Sequence, residues 1–421
     1  MENKTILKRK KYFDVITNIK GEYLLFIIWP FLGFLFALRS YFRKDSRKIV
    51  LLFFILYGLT FVVIEGMDSS RYALQLKTVA AKPLTEFGNI IAGLYTIDAS
   101  PDILQPIITF IVSRFTNDYH LLYGIFALVF GYVYLKSINV LYKQYTIMHN
   151  SNALVHLFFF ALIIPIFNIN GFRFYTAAWV YFYGAYHVIL HGNRKYLWVC
   201  ISSSLIHFGF LSASMVLLIY YFVGNRNAIY YPLLIASFII PDLINNYIPQ
   251  ISYLFGGELQ NRINMYTNEA YRLTVANAAT ERAWFFLWSD KAMLFYLYFA
   301  IIGVKIKFKE IGDLFPMKRL YSFLLLFLSF VNFGRNIPSV GRFQAVFFLF
   351  GVLYIFLVFS KKKSRKLNFI TIIGLLPMLL YSLIVFRFGS DTMNAWLFAP
   401  GPLSLIATPI SVYEIISKIF R

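Results

Sequence analysis

Charge and cysteine are scarce in this chain. Only 14% of its 421 residues are charged, and Cys200 is the single cysteine. A lone thiol in an apolar run excludes a disulfide framework and a thiolate metal cluster. No P-loop, dinucleotide-binding fingerprint, HExxH, GxSxG or nucleotide-sugar signature occurs. With no segment built to hold a nucleotide, a substrate must come from the membrane or from outside it. Acidic residues are few, 19 against 40 basic ones, for a net charge of +21. That excess does not point to nucleic acid, because most lysines sit in short links between apolar runs, where a positive-inside bias places them. Short alternating strands are missing, which excludes a β-barrel. No internal repeat is visible, which weakens an inverted-repeat transporter.

Hydrophobic residues are abundant. They make up 59% of the chain, and the mean hydropathy is +0.65. No soluble domain has that balance. The apolar runs approach span length and are separated by short polar links, so helices that satisfy their own backbone are expected. The expected fold is all-α: a polytopic transmembrane helical bundle of about 11–12 spans, forming one integral membrane domain over residues 1–421. The 47 Phe and 31 Tyr are first of all lipid-facing bulk and interfacial belts, and only secondly platforms for sugar stacking.

In chain order, Lys8-Arg9-Lys10-Lys11 precedes an apolar run with no small-residue cleavage site, so this segment is read as retained. Tyr23–Leu38 carries Pro30 and Gly33 at its middle and basic flanks on both sides. A hairpin bent at Trp29-Pro30 is therefore expected, a full span being the alternative. Ile49–Ile64 reads as a span leaving the cytoplasm. Residues 67–118 form a first external region, with an amphipathic surface helix over Ile103–Phe115. Tyr196–Phe222 is too long for one span and short for two, so two short helices turning near His207 are expected. Residues 249–283 form a second external region, in which alternating Glu and Arg read as a solvated, paired helix. Lys305–Arg319 and Lys361–Lys366 are basic loops that fall on one face, the cytoplasmic one.

The opposite face carries mostly arginine: Arg71, Arg114, Arg173, Arg262, Arg272, Arg282, Arg335, Arg342 and Arg387. A guanidinium grips phosphate oxygens with a planar fork, whereas an ammonium is a point charge. The sharpest case is Asn332–Arg342, a short link between Leu320–Val331 and Phe343–Phe359. Gly334, Pro338 and Gly341 break the helix there, and Arg335 and Arg342 flank the break. Arginines near bilayer depth cost about 2.5–3.5 kcal/mol each on insertion scales, so a clamp for an anion at the membrane surface competes with simple snorkelling at helix ends.

Four short segments, in order, resemble those of the EpsG/Wzy-type O-antigen (polysaccharide) polymerase family. They are Gly66-Met67-Asp68-Ser69-Ser70-Arg71-Tyr72, then Asn170-Gly171-Phe172-Arg173 running on to Ala178, then Leu205-Ile206-His207-Phe208-Gly209, and finally Asn336 to Arg342. The resemblance implies a lipid-dependent multi-spanning glycosyltransferase of the GT-C type. It would join undecaprenyl-pyrophosphate-linked oligosaccharide repeat units into O-antigen (lipopolysaccharide), capsule or exopolysaccharide. It implies inverting, metal-independent chemistry without a cofactor, at the periplasmic face of a bacterial inner membrane. Implied partners are the lipid-linked glycans, membrane lipid and a chain-length regulator protein, with no nucleic acid. Pyrophosphate is already a good leaving group, so the main need is for preorganised cations and a base for a sugar hydroxyl. On this reading Asp68 and His207 are the catalytic candidates, and Arg71, Tyr72, Arg173, Arg335 and Arg342 bind substrate, with no metal ligands. The alternatives are an O-antigen ligase, with the same donor, and a polysaccharide flippase or transporter. The latter calls for charges deep in several spans, where Asp290 and Lys291 are the main examples.

Overall fold

The computed structural model describes residues 19–85, 87–89, 102–148, 150–240, 284–312, 314–335, 337, 340–361, 365–401 and 403–419, with Gln260, Asn264 and Asn268 as single positions. Among them there is no strand, only one antiparallel bridge between Asn394 and Ser411. The all-α membrane bundle expected from composition is what forms.

Helices α1 (Ile19–Ile28) and α2 (Pro30–Arg39) are the two legs of a hairpin. Trp29 at the bend is extended, and Pro30 takes the first helical position, where its missing N–H costs nothing. Gly33 lets the legs close: a side chain there would run into the Phe26 backbone. Ten residues per leg rise about 15 Å, half the hydrocarbon thickness. The bend is tied by the Trp29 indole N–H, which donates to the Phe398 carbonyl at 2.8 Å. At the base, buried Glu22 accepts from the Ser46 hydroxyl at 2.7 Å and pairs with Arg43 at 3.5 Å.

Helix α3 (Lys44–Leu59) packs along α6 (Tyr119–Met148). Gly58 sets their closest approach, since a Cβ there would collide with the Tyr123 carbonyl. Small residues let backbones come this near where no hydrophobic driving force separates lipid from protein. Between these helices in sequence lie α4 (Asp68–Ala80) and α5 (Leu104–Ser113). The latter corrects the surface helix expected over Ile103–Phe115: every residue from Gln105 to Ser113 except Ile107 and Ile111 is buried. Its polar residues are satisfied inside, Gln105 donating to Gln75 and to Thr109 at 2.9 and 2.8 Å.

The chain continues through α7 (Ser151–Ile163), a 3-10 turn (Ile166–Gly171) and α8 (Phe172–His191). Two short helices follow, α9 (Tyr196–Ile206) and α10 (Phe210–Val223), with their turn at His207-Phe208-Gly209, then α11 (Asn227–Ile239). After α12 (Trp284–Lys307) and the short α13 (Lys309–Gly312) come α14 (Phe315–Phe333), α15 (Phe343–Lys361) and α16 (Arg365–Ser390). A 3-10 turn (Ala395–Phe398), α17 (Leu403–Ile406) and α18 (Val412–Ile419) close the chain. The second external region expected over 249–283 lies outside the described residues, those three single positions apart.

Four described stretches are long and apolar enough to cross a membrane: Tyr119–Thr146, Ser151–His191, Phe343–Lys361 and Leu367–Ser390. The second, at 41 residues, is long enough for two passes and breaks into α7 and α8 at the 3-10 turn. Beside them stand α12 and α14, of 24 and 19 residues, and the shorter apolar helices α2, α5, α9, α10 and α11, of 10–14 residues. Nearly every residue of α15 is buried, so this helix is the central post, packed by α7, α12 and α14. By contrast α16 is mostly exposed and forms a lipid-facing wall.

Connectivity fixes two ends. One gathers the basic starts and finishes of helices, with Asn150 donating to Phe359 O at 2.7 Å and Ser322 to Asn227 at 2.6 Å. The other joins the finish of α3 to the stretch after α16, through Tyr57 and Thr392 hydroxyls 2.8 Å apart. Val62 N–H also donates to Thr392 O at 3.0 Å there.

Candidate site: a cation-lined cavity at one end of the bundle

At that second end lies a cavity of about 1180 Å³. Four cations line it: Arg71 from α4, Lys291 from α12, and Arg335 and Arg342 from the link between α14 and α15. Two carboxylates, Asp68 and Asp290, also face it. Apolar side chains line it as well, among them Ile163, Leu294, Val331, Ile384 and Val385 from four different helices.

Backbone turns shape the described part of the link. Ile337 N–H donates to Gly334 O and Phe343 N–H to Val340 O, each at 2.9 Å. Gly334 packs against Val340 so closely that no side chain fits there. The result is a compact knuckle with Arg335 and Arg342 exposed toward the cavity. Neither guanidinium forms an ion pair with another described residue. Asp68 opens α4 just after Gly66, which takes a left-handed φ of 78° that glycine adopts without strain. Asp68 pairs with Arg71 one turn on, at 3.2 Å, and its charge suits the positive end of the helix. Its neighbour Tyr72 faces the other way, into the core.

Arg173, grouped with Arg335 and Arg342 by the sequence, is not among the residues lining the cavity. It is held one layer behind the wall. Its Nη1 donates to Asp102 at 2.9 Å and its Nε to the Tyr72 hydroxyl at 2.9 Å. Asp102 is 2% exposed, and its second oxygen accepts from Phe208 N–H at 2.7 Å. Burial, partly offset by the Arg173 charge, pushes the Tyr72 hydroxyl up to about 12, so it keeps its proton across the physiological range. This knot ties α4, α5, α8 and the α9–α10 turn together. His207 is likewise not among the residues lining the cavity. Its Nδ1 accepts from Gly209 N–H at 3.1 Å, and its ring meets Phe174 edge-on at 5.3 Å.

Of the residues singled out by sequence, the structure therefore brings Asp68, Arg71, Arg335 and Arg342 to one cavity. It puts Tyr72 and Arg173 in the knot behind it and His207 in an aromatic cluster. Sequence reading missed Asp102 as the partner of Arg173, and it missed Asn168 and Asn170, which also line the cavity. The only signal for Asp102 was an acid sitting directly before an apolar run.

An all-helical, multi-pass membrane protein with a cationic cavity at one end is the class that fold and site define. The model of the EpsG family matches residues 85–397, most of the chain. This chain belongs to the EpsG family, which includes Wzy-type polymerases, and membership supports a polysaccharide polymerase-like function. Arg173, His207, Arg335 and Arg342 fall inside the matched residues, and Asp68, Arg71 and Tyr72 before them. No curated protein and no solved structure matches the chain.

Proposed function

We propose that this chain joins oligosaccharide repeat units carried on undecaprenyl pyrophosphate into O-antigen, capsule or exopolysaccharide, by inverting, metal-independent glycosyl transfer. The observation that carries this reading is the pair Arg335 and Arg342, exposed toward a cavity that apolar side chains from four helices also line. A ligand that is both polyanionic and hydrocarbon-tailed satisfies both halves. A lipid pyrophosphate has that chemistry.

An acceptor sugar hydroxyl attacks the donor's anomeric carbon. The bond from that carbon to the phosphate oxygen breaks, and its electron pair leaves with the lipid pyrophosphate. Arg335 and Arg342 meet the developing charge, with Arg71 and Lys291 near by; fixed cations of this kind are worth most when water is excluded. The hydroxyl proton passes to Asp68, which lines the cavity where His207 does not. Arg173 acts as a positioning residue through Tyr72 and Asp102. The lysine-rich opposite end of the bundle supports placing the cavity at the periplasmic face of a bacterial inner membrane.

The test is the polymer ladder of cells carrying Arg335→Lys or Arg342→Lys, which keeps charge and removes the fork. Short or absent polymer is expected from each, with a single repeat unit still transferred to its final acceptor. Full-length ladders from both variants overturn the clamp. Loss even of the single unit identifies a ligase instead.

A further inference from the structure

One stretch of the cavity lining belongs neither to the arginine knuckle nor to the knot. Along α12, Trp288, Lys291, Leu294, Phe295 and Tyr298 all line the cavity. Steps of three and four residues put them on one face of the helix. Asp290, one turn before Leu294, lines the cavity too. Trp288, Asp290 and Lys291 are all exposed. The Lys291 ammonium lies 5.4 Å from the centre of the Trp288 ring, so these two side chains stand together. The backbone carbonyl of Asp290 accepts from the Gln344 side chain at 3.3 Å. That bond fastens the first turns of α12 to the start of α15, two residues after Arg342.

Phosphate repels a carboxylate, so Asp290 does not serve the group that the arginines attract. A flat aromatic face, an acceptor and a donor, all exposed on adjacent turns, suit a sugar ring. Its C–H face packs on the indole, its hydroxyls donate to the carboxylate, and its oxygens accept from the ammonium. A carboxylate accepts at two oxygens, about four sites in all, and charge-assisted bonds of this kind are roughly twice as strong as neutral ones. The reaction proposed above brings two sugars to the cavity, and their needs differ. The donor ring is fixed by its bond to the clamped pyrophosphate. The attacking end of the acceptor carries no phosphate, so its own hydroxyls and C–H faces must hold it.

We infer that the first turns of α12 form the acceptor subsite: Trp288 stacks on the acceptor's terminal ring, Asp290 accepts from hydroxyls of that ring that do not react, and Lys291 donates to its oxygens. This rests on the lipid-pyrophosphate reading and deepens it, because it assigns acceptor binding to α12. The two arginines hold the leaving group, and α12 holds the nucleophile's sugar.

The experiment is equilibrium binding to the full-length protein in lipid nanodiscs with two probes. One is undecaprenyl diphosphate without sugar. The other is the oligosaccharide released from the lipid carrier that accumulates in cells lacking the gene, which bears no pyrophosphate. Trp288→Ala and Asp290→Asn are each expected to weaken oligosaccharide binding about tenfold and to bind the bare lipid within about twofold of the unaltered protein. Retained bare-lipid binding shows that the variants are folded. Should Trp288→Ala lose both probes, Trp288→Phe reads the same comparison with less disturbance. Oligosaccharide binding that is unchanged in both variants, or absent from the unaltered protein, overturns the subsite and leaves the clamp intact. Equal loss of both probes in the isosteric Asp290→Asn assigns that residue to the frame and also overturns the subsite. Bare-lipid binding that Arg335→Ala and Arg342→Ala do not weaken overturns the clamp instead, so the two failures are distinguishable.

Discussion

Arg173 and the pair Arg335/Arg342 are the same residue type at the same end of the bundle, in opposite circumstances. Arg173 is largely buried, its guanidinium held by Asp102 and Tyr72 at 2.9 Å each. Arg335 and Arg342 are exposed to a cavity, with no ion pair to another described residue. The first group is committed to protein, and the second is available to a ligand. A buried ion pair adds little net stability, but breaking it strands a charge. An exposed guanidinium costs the fold little and is free to act. Both are needed: α4 carries Asp68 into the cavity and Tyr72 into the knot, and α8 carries Tyr175 and Arg173 in the same way. The knot is the frame on which the cavity hangs.

The contrast makes ordered predictions. Asp102→Ala leaves Arg173 buried without its anion and is expected to cost about 3–5 kcal/mol of stability, read as a large fall in the melting temperature of detergent-solubilised protein. A melting point equal to that of the unaltered chain would remove the knot from the account. Next, Arg342→Ala should slow polymer formation about 10²–10³-fold by removing one charge-stabilising group, and its melting temperature should stay close to that of the unaltered protein. If Arg342→Ala melts as early as Asp102→Ala, the two regions do not differ in kind. Tyr72→Phe deletes only the acceptor of the Arg173 Nε–H, so about 1 kcal/mol is expected, with the ladder shortened less than by Arg342→Ala. The smallest effect belongs to His207→Gln. Its ring nitrogen caps a turn amide outside the cavity, so polymer length should be preserved, and a collapsed ladder would return His207 to the list of bases.

Breaks in helix were legible where glycine and proline impose them. The bend at Trp29-Pro30, the turn at His207-Phe208-Gly209 and the helix break between Phe333 and Phe343 all form where the residues say. The burial of α5 was not legible, because Gln105, Thr109 and Ser113 read as a water-facing stripe. In the fold Gln105 bonds Gln75 and Thr109, and Ser113 bonds a carbonyl of its own helix, so their polarity is spent inside. Arginine enrichment drew attention to the end where the cavity lies, yet it gave no means of dividing those arginines between protein partners and the cavity.

Composition alone settled that this chain lives in a bilayer as helices, because 59% hydrophobic residues in repeated runs leave the backbone no other way to satisfy itself in lipid. Tertiary structure alone decided what each charge does. Asp102 lies 71 residues before Arg173, and Arg335 and Asp68 are farther apart still. Which charges meet each other and which face an open cavity depends on how helices stack. That stacking is settled by close approaches such as Gly58 on Tyr123, not by any local pattern along the chain.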